Sequence, residues 1–347
     1  MPACRGRHRE LITGLQAGDH PDGAVLGCDD RLDDNIEQHR PRRVIGTHMN
    51  DLGGIAAGLG TVVCVVAMLI AGRLGATTDA LTIYDLAGLR MGVASILALP
   101  LLIRYFPWRV RLRDHAIVAF FGGAPFILLL FGGMTFAPVG HASVVMYGAL
   151  PVVAALVAWA WVSDRPGRGQ WAGISLIVAG VAAVGWDALT AGDGADGQWR
   201  GHLLFLGAAL WVAIWYGGMR AARLGVMQSL AALLIGNMLV YVPIWLLFLP
   251  STLLTAPFAD IVLQSVVHGV FGAFLCIFGH AYAVKTIGPI RQAAVGSLVP
   301  PLALVVAIPF LGEIPTLVNV AGALVVTVGI IATVFLQPSK AADSAPS

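Results

Sequence analysis

Beyond residue 50 the chain alternates between long apolar runs and short polar punctuation. Ten runs stand out, at 52–72, 82–103, 115–134, 138–161, 170–186, 202–219, 227–249, 261–284, 289–311 and 316–336. About 20 apolar residues wound as a helix cross a hydrocarbon core of roughly 30 Å. The last run holds no charged residue. Membrane-barrel strands are short and alternating, so runs of this length exclude that architecture. Trp171 and Trp186 bracket the fifth and shortest run, as interfacial aromatics do. The pattern predicts an all-α integral membrane protein with ten transmembrane helices.

The pattern also repeats at an offset of 149 positions. Pro151 answers Pro300, Asp164 answers Glu313 and Pro166 answers Pro315, while Ala172, Gly173 and Gly180 fall on Ala321, Gly322 and Gly329. Apolar matches mean little in such a chain, but acidic and proline matches are hard to reach by chance. The expected organisation is therefore two five-helix repeats, 51–188 and 200–336, followed by a cytoplasmic tail at 337–347. An odd number of spans per repeat makes the second copy enter the membrane inverted. Loop charge agrees. With the N-terminus inside, inner loops hold Arg104, Arg109, Arg111, Arg113, Arg165, Arg168, Arg220, Arg223 and Lys285, whereas outer loops hold Arg73 and Arg200. The positive-inside rule then puts both termini in the cytoplasm, Asp164 inside and Glu313 outside.

Composition sharpens the class without naming a function. The chain is 58% hydrophobic and 12% charged, and its mean hydropathy is +0.82. Soluble globular domains lie far from these values. A net charge of +2, with no basic stripe outside the loops, points to no nucleic-acid partner. Cys4 and Cys28 lie in the tail and Cys64 and Cys276 inside apolar runs, a spacing that predicts neither disulfide nor metal site. Residues 1–50 are polar and aperiodic and lack the apolar core of a signal peptide. They read as a disordered cytoplasmic tail. The alternative is an over-extended start, since Met49-Asn50-Asp51 directly precedes the first run.

These residues resemble the EamA-type branch of the drug/metabolite transporter superfamily. The resemblance spans about 52–336 and is most specific in two stretches. One is Gly140 to Val184, with Pro151 and Asp164-Arg165-Pro166. The other is Tyr282 to Ala332, with Tyr282-Ala283-Val284-Lys285, Pro300, Gly312-Glu313, Gly322 and Gly329. Arg90 occupies the family's usual arginine position. The chain departs from the family where Thr61 and Val62 replace a common tryptophan, where Asp164 replaces the usual glutamate, and where the second repeat lacks a counterpart of Arg90. The resemblance implies ten helices in two inverted repeats and export of small metabolites or drugs, by proton coupling or facilitated exchange.

Several residues are candidates for that chemistry. A mid-helix proline frees a carbonyl that lipid cannot satisfy, so Pro151 and Pro300 mark the fourth and ninth spans as a cavity-lining pair or, alternatively, as packing kinks. Pro125 has no matched partner and reads as a kink. Arg90 lies about 12 Å into its span by helical rise. It either binds an anionic group or snorkels to headgroups. Tyr147 and Ser297, with Gln292 and Arg291, are hydrogen-bonding groups on the suspected cavity helices. Trp211, Trp215 and Tyr216 form an aromatic face that serves either a solute or lipid packing. His141 and His280 are candidate proton carriers near span ends, or headgroup contacts. Asp164 and Glu313 cap the helices that follow them, or gate the two sides. Asn237, Tyr241 and Gln264 are buried polar candidates, and Gly54 and Gly58 form a helix-packing pair.

Three function classes compete. An intramembrane enzyme would need a catalytic set, and no Gly-x-Ser-x-Gly, His-Glu-x-x-His or aspartate dyad occurs in any span. A structural or sensory protein has no need of inversion. No nucleotide-binding Gly-x-x-x-x-Gly-Lys loop is present, and no cofactor is expected. The expectation is a secondary transporter in the cell membrane, not an enzyme. It would export a small amino acid-like solute by alternating access, with multidrug efflux through an aromatic-lined cavity as the alternative. Partners expected are the solute, the lipid bilayer, protons as a candidate coupling ion and a second copy as a candidate assembly.

Overall fold

The structure, a computed structural model, describes residues 47–78, 80–162, 167–190 and 197–336. The tails expected at 1–50 and 337–347 therefore lie largely or wholly outside the described residues, and so does Asp164. Among the described residues the fold is all helical, with ten helices long and apolar enough to cross a membrane. They are α1 (Leu52–Thr77), α2 (Ile83–Leu101), α3 (Leu112–Phe136), α4 (Val139–Val157), α5 (Gly169–Thr190), α6 (Gln198–Ala221), α7 (Val226–Phe248), α8 (Phe258–Gly288), α9 (Arg291–Leu311) and α10 (Leu317–Phe335). Large apolar side chains such as Leu247, Phe248, Val305 and Phe310 stay exposed along these helices. Water would penalise such a surface, whereas lipid tails accept it.

Five spans are interrupted; α7 changes helix at Val240, three residues before Pro243, and the other four breaks are these. In α3 the helix stops at Gly123, two residues before Pro125, which has no N–H to donate. Asn237 of α7 repairs the gap. Its Oδ1 accepts from the Ala124 N–H at 2.9 Å and its Nδ2 donates to the Ala119 carbonyl at 2.9 Å. Buried Asn237 is thus a backbone patch, the kind of partner a broken membrane helix requires. Pro151 and Pro300 act differently despite their matched positions. Before Pro151, α4 is wound as a π-helix over Ser143–Tyr147 and then continues as one α-helix through the proline. In α9, by contrast, the chain turns at Ser297-Leu298, and Pro300 starts a new helix, Val299–Leu311. Pro301 cannot donate to the Ser297 carbonyl, and the Thr327 hydroxyl of α10 takes its place at 3.2 Å. The fourth break is the π-wound stretch Ser265–Leu275 in α8.

The most extensive helix–helix contact is between α5 and α10. A methyl added to Gly173 would stand 2.8 Å from the Gly329 carbonyl, and one added to Gly180 would stand 2.8 Å from that of Gly322. The helices run antiparallel, and the pairing is symmetric under the 149-residue offset: Gly173 maps onto Gly322 and Gly180 onto Gly329. Only glycine permits this backbone approach. The other principal contacts pair α3 with α6, α2 with both α7 and α8, and α4 with α6. Gly54 and Gly58 of α1 lie against Thr286 of α8 and Gln292 of α9.

Candidate functional site

Most polar side chains set into the spans have identifiable partners. Asp85, 0% exposed near the start of α2, is the most heavily bonded. Its carboxylate accepts from the Thr82 N–H and hydroxyl, the Trp245 indole N–H, the Ser251 hydroxyl, and the Thr252 N–H and hydroxyl. The Thr82 hydroxyl in turn accepts from the Asp85 N–H, completing a capping box. This carboxylate pins α2 to α7 and to the loop that follows it. It has no capacity left for Arg90.

Glu313 does something the sequence did not foretell. It does not cap α10; that N-terminus is capped by Thr316, whose hydroxyl accepts from the Asn319 N–H and donates to Asp187 at 2.8 Å. Glu313 reaches across to α4, where it accepts from the Val139 N–H at 2.9 Å. Its other oxygen pairs with Arg73 at the end of α1 at 2.8 Å, with both side chains 19% exposed. Arg73 also donates to the Met134 carbonyl of α3. One carboxylate therefore ties the α9–α10 turn to the ends of α1, α3 and α4.

His141 lies nearby and is buried rather than interfacial. Its Nδ1 lies 3.0 Å from Nε2 of His202 on α6, so one ring donates and the other accepts. Sequence reasoning singled out His141 alone; nothing in one dimension pairs positions 61 apart. His280 sits near the opposite end of α8, where Gln292 reaches its Nδ1 at 3.4 Å. Ser297 donates to the Ala294 carbonyl of its own helix and is spent there. The expected aromatic face is shared out: Trp211 packs with Phe120 and Phe121 of α3, and Trp215 stacks on Tyr216 at 5.1 Å. Tyr241 donates to the Tyr84 carbonyl.

Arg90 is placed differently from all of these. It is partly buried, and its guanidinium donates to the Met68 thioether at 2.7 Å and to the Gly272 carbonyl at 3.2 Å, leaving Nε without a partner. Its hydrogen-bond partners are a thioether and a carbonyl, and among the described residues no carboxylate lies in ion-pair contact with Arg90. Gly272 makes room for it, since a methyl there would come within 2.6 Å of the guanidinium. Tyr147 of α4 and Cys276 of α8 lie within its electrostatic reach, and Tyr216 of α6 lies within that of Tyr147. Of the sequence candidates, then, Arg90 and Tyr147 are brought within electrostatic reach of each other, with Tyr216 of α6 in reach of Tyr147. Sequence reasoning missed His268, fully buried on α8 against Phe131, with both ring nitrogens unpartnered and Arg90 acting on it. A histidine well inside the apolar run 261–284 was the available signal.

Among the described residues the bundle thus holds Arg90 without a carboxylate partner and an ionic tie across one end. Comparison with known proteins adds the following. No curated protein matches the chain. A solved crystal structure, described only as a protein, aligns with a TM-score of 0.52 over 81% of this chain and 98% of its own, at 18% identity, a likeness of fold. Residues 52–186 match the family model described as the EamA-like transporter family. That segment is α1 through α5 up to Trp186, the part that carries Arg90, Tyr147 and Pro151. Over that segment, rather more than a third of the chain, the protein is similar to the EamA-like transporter family, a family of the drug/metabolite transporter superfamily.

Proposed function

We propose that this protein is a secondary transporter of the cell membrane that exports a small, amino acid-like metabolite. It works by alternating access between two inverted five-helix repeats, both termini being cytoplasmic. The observation that carries the reading is the Glu313 tie. It joins the α9–α10 turn of the second half to α1 and α4 of the first, at the end where loop charge assigns the outside. Partly exposed ionic contacts of this kind are worth little in stability and exchange readily. Such a contact suits a gate that must open each cycle. The α5–α10 seam, held by backbone-close glycines, supplies the pivot for rocking. The 149-residue symmetry of that seam supports inversion of the repeats.

A second reading, efflux of amphipathic drug-like compounds, is favoured by Phe120, Phe121, Trp211, Trp215 and Tyr216 grouped between α3 and α6. The test is untargeted metabolite profiling of the medium from cells overproducing the wild type or Glu313→Ala at equal membrane abundance. A compound enriched outside only with the wild type supports export and identifies the solute. Depletion from the medium would reverse the direction. Identical media would refute metabolite export and leave compound resistance as the standing reading.

A further inference from the structure

Four unmet polar atoms in the bundle belong to one place. The Arg90 Nε, both ring nitrogens of His268 and the Gln264 Oε1 are buried without hydrogen-bond partners. On α8, Gln264, His268, Gly272 and Cys276 recur every four residues. Contacts tie this stripe to α1 and α2: Gln264 donates to the Ala71 carbonyl of α1, and Gly272 abuts Arg90 of α2, which donates to the Gly272 carbonyl and to Met68 of α1. The stripe falls where α8 is π-wound, a geometry frequent at functional sites. By helical rise, Arg90 is about 12 Å and His268 about 15 Å from the start of its span, so both lie well inside the membrane. Native proteins satisfy nearly all buried polar groups, and an uncompensated buried cation costs more than any neutral one. A group of orphans that combines a guanidinium with an imidazole asks for an anionic oxygen acceptor.

We infer that Arg90 and His268 form the recognition site for a carboxylate carried by the transported solute. This rests on the transporter reading and narrows its substrate to a carboxylate-bearing molecule, with or without an amine. The carboxylate accepts from Nε and a terminal nitrogen of Arg90, as the planar fork favours, and from one ring N–H of His268. No acidic side chain reaches the site from the described elements, because Asp85 is fully engaged with Thr82, Trp245, Ser251 and Thr252. An amine without a carboxylate therefore meets the Arg90 cation, with the neutral Gln264 Oε1 as the one unpartnered amide oxygen along the stripe to accept from it. Gly272 is the positioning residue: a methyl there drives the guanidinium out of line while leaving its charge in place.

The test measures equilibrium binding to the full chain in lipid nanodiscs, independent of transport. Three probes share one phenyl group: 3-phenylpropionate, phenylalanine and phenethylamine. At least one of the two carboxylates should bind, and phenethylamine should not. Arg90→Gln should weaken that binding by about 10- to 100-fold, the worth of a charge-assisted bond, with unchanged or higher thermal stability. His268→Phe and Gly272→Ala should each weaken it less, with Arg90 intact, which covers the case that Arg90→Gln misfolds. Binding of phenethylamine equal to that of the carboxylates would overturn the inference. So would carboxylate binding indifferent to all three substitutions, or the absence of any carboxylate binding. Carboxylate binding with Arg90 dependence but no flux in proteoliposomes would instead uphold the site and refute the transporter reading.

Discussion

The α5–α10 seam and the α2–α8 stripe are both contacts between the two halves of the chain, built on opposite principles. The seam joins glycines to carbonyls across an apolar face, with Gly173 on Gly329 and Gly180 on Gly322. The stripe also uses a glycine, Gly272, but spends the space it frees on a guanidinium without a counter-charge. One contact is optimised for cohesion. The other holds unmet hydrogen-bonding capacity that lowers stability until something fills it. A carrier needs both: a joint that survives every cycle and a site that is incomplete when empty.

The sharpest way to break this contrast is at the seam. Gly180→Leu should cost about 3 kcal/mol or more, because backbone rather than a movable side chain opposes the new atoms. Thermal unfolding of detergent-solubilised protein should show a clear drop, with folded yield falling in parallel. Asp85→Ala should act in the same direction by stranding the Trp245 and Thr252 donors, at about 1–3 kcal/mol for each buried group left unpaired. Trp245 fluorescence should shift with it.

The stripe should respond in reverse. Arg90→Met removes an uncompensated charge, so thermal stability should hold or rise while counterflow in proteoliposomes falls by about tenfold or more. Equal loss of stability and flux would make Arg90 a structural residue. Glu313→Gln lies between the two, keeping a hydrogen bond to Val139 while losing the ion pair to Arg73. Transport rate should change several-fold at an abundance near wild type, because exposed ion pairs contribute only about 0–1 kcal/mol. Loss of abundance alone would make the Glu313 tie a structural contact. The smallest effect belongs to Thr327→Val, which removes the bond to the Ser297 carbonyl. About 0.6 kcal/mol is expected, read as a small shift in unfolding temperature.

Much of the fold was legible because lipid imposes a one-dimensional code. Apolar run lengths placed all ten spans, with ends differing from the structure by a few residues. Even the seam was foreshadowed, since Gly173, Gly180, Gly322 and Gly329 already matched at one offset. The site was less legible. Pro151 and Pro300 match in sequence yet break their helices differently, because Pro300 is followed by Pro301 and answered by Thr327 whereas Pro151 stands alone. Glu313 was legible as a polar end residue, but its partners are 240 and 174 positions away. His268 and Gln264 drew little notice because single polar residues in apolar runs are individually uninformative.

By itself, then, the sequence determined the solvent and the number of spans, and it displayed the 149-residue match of positions and Arg90 inside its span. Those follow from transfer free energies and spacing, which each segment carries alone. Only the tertiary structure decided which polar groups are satisfied. It placed Asn237 on the broken α3, committed Asp85 to the loop after α7, joined His141 to His202, and left Arg90 on α2 and His268 on α8 with polar atoms unfilled. Hydrogen bonds are made between atoms about 3 Å apart, and that proximity is a property of packed helices rather than of any one of them.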